Sequence, residues 1–413
     1  MNLLKKVNLE EFLILIFPIV LLLRSASLNI YLIILSFFLI YKIIKKKIKI
    51  ESDIKKIALS FLMFYLYIIT LAFYSDQNLS SLKSAFSQIR FFLFFLFIYY
   101  ANIQEDFEQK WITFFSFILV LFSLDLFYQF YFGHNIFGIE ADPINHPNRF
   151  SGFFGNELVA GTYLAYLSLP IVSSIICELN NKFLFRKKMG FAFCLVIFLA
   201  ILISGDRMAL IVFASSFFLI FFINTSLKKF LQLFVCSIIL FFVIFKAVPQ
   251  VESRYVNLFN EIKNYKNFGY IRLFSSSYNI WNENKIFGVG LKNYRHACDK
   301  NKFDSNTNQK SLCSTHPHNI FLELLAETGL IGSSLFLFFV LNVVQFVIFR
   351  LKEKKRLSSS IPKTIFGSMV ILLLFLWPIR SSGSLFTTYY ASYLWFSMGM
   401  LFLLLKSKNL NHG

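Results

Sequence analysis

The stretch Thr315-His316-Pro317-His318-Asn319 runs straight into an apolar segment that continues to Phe349, so a histidine-bearing loop end meets the first turn of a membrane helix. Ionisable groups at such a boundary are uncommon and usually functional. Pro317 suits a first helical position, because its missing N–H would have been unpaired there anyway. On that register His318 lies in the first turn, where the helix dipole resists a second positive charge. The expected species is a neutral imidazole, which can take a proton. Gly329 follows about 20° round the helix and roughly 16 Å deeper, with Leu322 and Leu325 between. The histidine face thus continues into a small-residue stripe, Gly329 and Gly332, where another helix can pack closely. His316 is able to face the same site. Glu323 and Glu327 share another face, about 140° and 180° round from His318, and are expected to pair with polar groups elsewhere. The plainer readings are a capping histidine and two packing glycines.

A second chemistry is anion binding. Ser204-Gly205-Asp206-Arg207-Met208 is too short a connection to let Arg207 escape the apolar boundary, and moving it toward the bilayer centre would cost about 3 kcal/mol. Its compensating anion is either the adjacent Asp206 or a ligand phosphate, for which guanidinium offers a planar fork. Arg149, in the turn-rich run from Asp142 to Glu157, stands at a boundary between aromatics and is either a snorkelling anchor or part of the same site. Arg272 begins a segment in which Ile271, Phe274, Tyr278 and Trp281 are spaced for an amphipathic helix lying against the bundle. Gly288-Val289-Gly290 lacks the third glycine and the βαβ context of a dinucleotide fingerprint, and reads as a tight turn leading back to the histidine segment. Cys298 and Cys313 bracket a polar stretch. They suit a disulfide, or a zinc site with His296 and His316 whose spacing matches no standard ligand pattern.

The elements that must position these residues are membrane helices. Of 413 residues 57% are hydrophobic, 56 are Phe, and the mean hydropathy is +0.63, which no ordinary soluble domain shows. The net charge of +19 does not point to nucleic acid, because the basic residues are spread over short loops between apolar runs. Twelve spans are expected: about Phe12 to Leu23, Leu28 to Ile44, Ile57 to Tyr74, Ile89 to Ala101, Trp111 to Phe132, Leu158 to Cys177, Gly190 to Ser204, Met208 to Ile223, Phe230 to Ala247, Ile320 to Phe349, Thr364 to Pro378 and Tyr389 to Leu405. With the N-terminus inside, most Lys and Arg of the short loops fall on the cytoplasmic side. The chain therefore divides into nine spans over 1–247, a large outer loop with amphipathic helices over 248–317, and three spans over 318–413. The basic-then-apolar N-terminus is read as a retained span rather than a signal peptide, since Arg24 and a second apolar run follow at once.

With these residues assembled, the chain resembles the O-antigen ligase and polymerase superfamily of bacterial envelope glycosyltransferases. The motif H-[N/S/Q]-x9-G-x-x falls on His318, Asn319, Gly329 and Gly332. A G-x-R-x-x-L element falls on Gly205, Arg207 and Leu210, a spaced R…W pair on Arg272 and Trp281, and G-x-G-x-x-x-Y on Gly288, Gly290 and Tyr294. The resemblance implies an all-α, GT-C-like polytopic fold in the bacterial inner membrane with its active site on the periplasmic face. It implies an O-antigen ligase that moves a glycan from undecaprenyl diphosphate to lipid A-core with inversion, and needs no metal or other cofactor. A polymerase that joins repeat units onto a growing glycan is the alternative, and a flippase or transporter a more distant one. Carried over by position, His318 is the catalytic base and Arg207 and Arg272 hold the diphosphate. Arg149, His316, Asn319 and Tyr294 are candidate accessory residues, and Gly329 and Gly332 are structural. The expected partners are the lipid-linked donor, the glycan-bearing acceptor and the bilayer, with no nucleic acid.

Overall fold

A computed structural model describes residues 7–141, 148–178, 184–263, 269–300, 313–356, 363–378 and 380–406. In chain order the helices are α1 (Leu9–Leu15), α2 (Phe17–Leu22), α3 (Arg24–Ile44), α4 (Ser52–Tyr74), α5 (Asn78–Ser87) and α6 (Ile89–Tyr99). Then come α7 (Phe107–Phe132), α8 (Ala160–Glu178), α9 (Leu184–Ile203), α10 (Arg207–Asn224) and α11 (Leu227–Ala247). The long polar segment contributes α12 (Pro249–Lys263), α13 (Gly269–Glu283) and α14 (Tyr294–Lys300). It is followed by α15 (Ile320–Arg356), α16 (Thr364–Phe375) and α17 (Thr388–Leu405).

Among the described residues no strand occurs beyond an isolated bridge between His134 and Glu140. Nine helical stretches among the described residues, with α5 and α6 counted as one, are long and apolar enough to cross a membrane, and α9 and α16 supply shorter apolar helices. The protein is an all-α polytopic membrane protein. The expected first span differs in detail: it is two short helices that break at Ile16, because Pro18 near the start of α2 has no N–H for a continuous ladder.

The described residues form two compact units. One lies within Met1–Asn29, Ala101–Asn260 and Ile361–Leu374, the other within Ile30–Tyr100, Glu261–Ser360 and Phe375–Gly413. In the first, α8 is the central helix. Its Tyr163 hydroxyl donates to the Pro18 carbonyl (3.1 Å), and its Ser173 hydroxyl donates to the Lys363 carbonyl (2.7 Å). Gly367 lets α16 cross α8 closely, since a Cβ there would stand 2.3 Å from the Leu169 carbonyl oxygen. Buried in lipid or protein alike, these helices gain little from excluding water, so close packing and interhelical hydrogen bonds hold them together.

In the second unit α17 is buried along almost its whole length among α4, α6 and α15. Aromatic stacking fills the contacts: Phe61 lies on Phe92 at 4.3 Å and Phe346 on Phe402 at 4.1 Å. Two expectations are corrected in this unit. The helix α15 starts at Ile320, not at Pro317, and is broken at Gly329 (φ 62°, ψ −166°), so the continuous face from His318 through Leu322 and Leu325 to Gly329 does not exist. On α13 the buried stripe is Leu273, Ser276, Ser277 and Ile280, while Ile271 and Tyr278 of the expected stripe are exposed. The reason is the small core that Ile280 makes with Tyr294, Cys298 and Ala326, which turns α13 by about one residue.

The break in α15 is closed by the turn before α14. Val289 and Gly290 donate to the carbonyls of Ala326 (3.0 Å) and Glu327 (2.8 Å), and Leu330 and Ile331 donate to those of Lys285 (2.9 Å) and Ile286 (3.2 Å). The Tyr67 hydroxyl lies within bonding distance of the Phe287 and Thr328 carbonyls, at 3.1 and 2.9 Å. Backbone groups freed by a kink inside a membrane protein must be satisfied in this way. Two glycines make the crossing possible, because a Cβ on Gly288 would stand 2.6 Å from the Gly329 nitrogen and one on Gly329 2.3 Å from the Ile286 oxygen.

Candidate functional site

In the second unit the chemistry gathers on the loop Ser314–Asn319. Asn319, buried, caps α15: its side-chain oxygen accepts from the amides of Phe321 and Leu322, both at 3.0 Å. Its side-chain nitrogen donates to the carbonyls of Pro378 (2.6 Å) and Arg380 (3.2 Å). These bonds give Asn319 a structural role. The Ser382 amide donates to the His318 carbonyl at 2.8 Å. So fixed on both sides, His318 is held at φ 56°, in the left-handed region, a conformation that costs a non-glycine residue about 1–3 kcal/mol and persists where the surroundings impose it.

The imidazole of His318 has Ser314 Oγ at 3.4 Å from its Nε2, the His316 ring at 4.1 Å and the Tyr270 ring edge-on at 6.0 Å. Burial lowers its pKa below the ordinary 6.5. His316 is pushed down to about 3, first by burial and then by the neighbouring His318 and Lys292 charges. Both rings are therefore neutral at pH 7, and the neutral form is the one that can act as a base. His316 Nε2 is buried without a hydrogen-bond partner, while its Nδ1 lies 3.1 Å from Thr315 Oγ1.

Arg272 sits half-buried in the first turn of α13, the same turn that brings Tyr270 to His318. Tyr294 is fully buried; its hydroxyl lies 3.3 Å from Ser277 Oγ and 3.5 Å from the Leu273 carbonyl. It is a core residue, out of reach of a ligand. Glu323 and Glu327, also buried, are used by the backbone: Glu323 accepts from Leu385 N at 2.8 Å and Glu327 from Tyr294 N at 3.4 Å. Gly332 packs α15 on α4, where a Cβ would come 2.7 Å from the Tyr67 ring.

Cys298 of α14 and Cys313 are joined in a disulfide, which occupies both sulfurs of the alternative zinc set. Its sequence separation of 15 residues corresponds to about 3 kcal/mol of restricted unfolded-state freedom. Cys298→Ser is thus expected to lower the melting temperature of the purified protein, and a reductant to lower the wild type to the same value without moving the variant further.

In the first unit the arginines gather round Gly205. Gly205 (φ 69°) has the Asn148 carbonyl and Arg149 against it, and a Cβ would stand 2.4 Å from that carbonyl oxygen. Phe150 donates to the Ser204 carbonyl at 3.3 Å, and Arg149 donates to the Leu158 carbonyl at 3.1 Å. Arg254 Nε donates to the Gly205 carbonyl at 3.3 Å. Two residues on, Arg207 is the first residue of α10, and its charge is felt by the half-buried Tyr255 together with those of Asp206 and Arg254. Asp206 caps α10 through Ala209 N (3.1 Å) and accepts from Thr162 Oγ1 (2.9 Å). Arg149, Arg207 and Arg254 thus share one turn, an arrangement suited to a polyanion.

The structure therefore groups Arg149 with Arg207 in one unit, and Arg272 with His316, His318 and Asn319 in the other. Arg254, Lys292 and Arg380 were not singled out from the sequence. Arg380, buried, meets the Tyr390 hydroxyl and lies over the Phe375 ring at 5.4 Å. Arg254 and Lys292 are each one cation among many in a polar stretch, and Arg380, alone between two apolar runs, has no motif spacing to mark it. Residues 192–337 match the family described as O-antigen ligase, a segment that holds Arg207, Arg254, Arg272, the disulfide and the histidine loop. Among curated proteins, none matches the chain in sequence.

Proposed function

We propose, from the match of residues 192–337 to the O-antigen ligase family, that this multi-pass membrane protein is an enzyme that transfers a glycan from undecaprenyl diphosphate to lipid A-core on the periplasmic face of the bacterial inner membrane. The observation that carries the reading is His318: a neutral imidazole, held in an imposed backbone conformation inside the matched segment. An acceptor hydroxyl oxygen attacks the anomeric carbon, the bond to the diphosphate oxygen breaks, and its electron pair leaves with the phosphate. The hydroxyl proton passes to His318. Attack from the side opposite the leaving group inverts the anomeric centre.

The resemblance gives the hold on the diphosphate to Arg207 and Arg272, and Arg149 and Arg254 support the turn before Arg207. Negative charge grows on the leaving group as the bond breaks, so fixed guanidinium forks favour the transition state over the ground state. Arg207→Lys is expected to lower kcat/KM about ten-fold or more, because an ammonium cannot replace the planar bidentate grip. Transfer assays with purified lipid-linked donor read this directly.

The experiment that tests the function is a deletion strain. Loss of polymer from lipid A, while polymer accumulates on undecaprenyl diphosphate, is the expected result. Capping of lipid A with a single repeat unit would make the protein a polymerase instead, and an unchanged envelope glycan profile would refute both.

A further inference from the structure

The second unit contains a polar cavity of about 240 Å³ between the C-terminal ends of α4 and α13, the Gly288–Val289 turn and α14. Tyr74, Asp76, Glu283, Asn284, His296 and Lys300 supply its chemistry. Asp76 and Lys300 pair at 2.6 Å, and His296 Nε2 lies 4.0 Å from the same carboxylate. Lys300 beside it holds the Asp76 carboxyl below its ordinary pKa, so it stays ionised as an acceptor. Asn284 donates its amide to the Ile280 carbonyl at 3.1 Å, which leaves the amide oxygen to accept.

The charges decide the ligand class. Two carboxylates, one ammonium and a histidine line it, and the ammonium is already paired with Asp76, so the cavity offers no surplus of positive charge to draw a phosphate or diphosphate. A neutral polyol suits the mixture, since each hydroxyl both donates and accepts, and bonds to charged partners are the stronger ones. Tyr74, 89% exposed at the end of α4, offers a ring face to the apolar C–H side of a pyranose.

The walls are fastened together before any ligand arrives. Gln77 N donates to Asn293 Oδ1 at 2.9 Å, and a Cβ on Gly290 would stand 2.5 Å from Ser75 Cβ. The short helix that carries His296 and Lys300 also carries Cys298, whose disulfide partner Cys313 begins the histidine loop.

We propose that this cavity is a glycan subsite that binds a sugar residue of the transferred chain away from the bond that breaks. The proposal rests on the glycan-transfer reading above. Its test is steady-state transfer by the full-length protein in lipid nanodiscs, with lipid-diphosphate donors carrying either one repeat unit or a long chain. Tyr74→Ala and Asp76→Asn are expected to raise KM for the long-chain donor about ten-fold, to leave kcat unchanged, and to leave the single-repeat donor unaffected; Tyr74→Phe, which keeps the ring, restores the wild-type KM. An equal change for both donors, or none, overturns the subsite. Saturable NMR binding of the delipidated repeat-unit oligosaccharide to wild type, lost in Glu283→Gln, is the expected result should the first variants fold poorly; binding unaltered in that variant counts against it. A wild-type protein that transfers neither donor would instead overturn the transfer reading.

Discussion

Replacing His318 by alanine is expected to lower glycan transfer by about 10²- to 10⁴-fold, the range over which a positioned general base contributes, while the protein still inserts and folds. The side chain is half-buried and its hydroxyl partner, Ser314, is on the same loop, so little packing is lost. Its left-handed backbone is disfavoured for alanine and somewhat less so for histidine, so the variant adds only a little to the strain already there. The pH profile gives an independent reading. A base must be unprotonated to work, and burial lowers the His318 pKa, so wild-type activity should persist below the ordinary imidazole value of 6.5 before falling on the acid side. Near-normal transfer by a well-expressed His318→Ala protein would remove His318 from the reaction.

The largest structural effect is expected from Gly329→Ala. The new Cβ would stand 2.3 Å from a backbone oxygen that cannot swing aside, on a residue at φ 62°. With ψ at −166° this is a backbone conformation that essentially only glycine adopts, at a cost of about 1–3 kcal/mol for another residue, and prising the two backbone segments apart endangers four hydrogen bonds of about 0.5–1.5 kcal/mol each. The sum is on the order of 4 kcal/mol, enough to cut the yield of folded protein and its melting temperature sharply. Gly133→Ala is the control: φ is 80° but nothing lies within 4 Å of the added atom, so it should cost about 1–2 kcal/mol. Equal melting temperatures for the two variants would show that the crossing at Gly329 is not as tight as its geometry requires.

Why the break was invisible in the sequence follows from the same contact. A glycine inside a long apolar run has the pattern of a packing residue, and the turn that completes the kink, 285–290, lies some forty residues earlier. Hydropathy found the membrane helices because lipid imposes their length and composition residue by residue. The start of α15 was legible in part. Asn319 is among the best capping residues, yet Pro317 offered a competing start three residues before Ile320, and the bonds from Asn319 to Pro378 and Arg380 decide between them. The displaced face of α13 has the same origin, since its buried side is chosen by Tyr294 and Ala326 and not by its own aromatic spacing. Arg207 stood out because a very short loop left it nowhere to go. Arg254 did not, because it is one cation in a long polar segment.

The kink also settles how much of α15 has to be threaded through the bilayer. From Leu330 to Phe349 the chain supplies the roughly 20 apolar residues that a hydrocarbon layer demands. The nine residues before the break are left over, and they carry both Glu323 and Glu327. During biosynthesis the insertion machinery therefore need not drag two acids into oil. The nine-residue half is held instead by the backbone bonds of the 285–290 turn, so the loop that carries the histidine is anchored to the folded unit and not to the hydrocarbon.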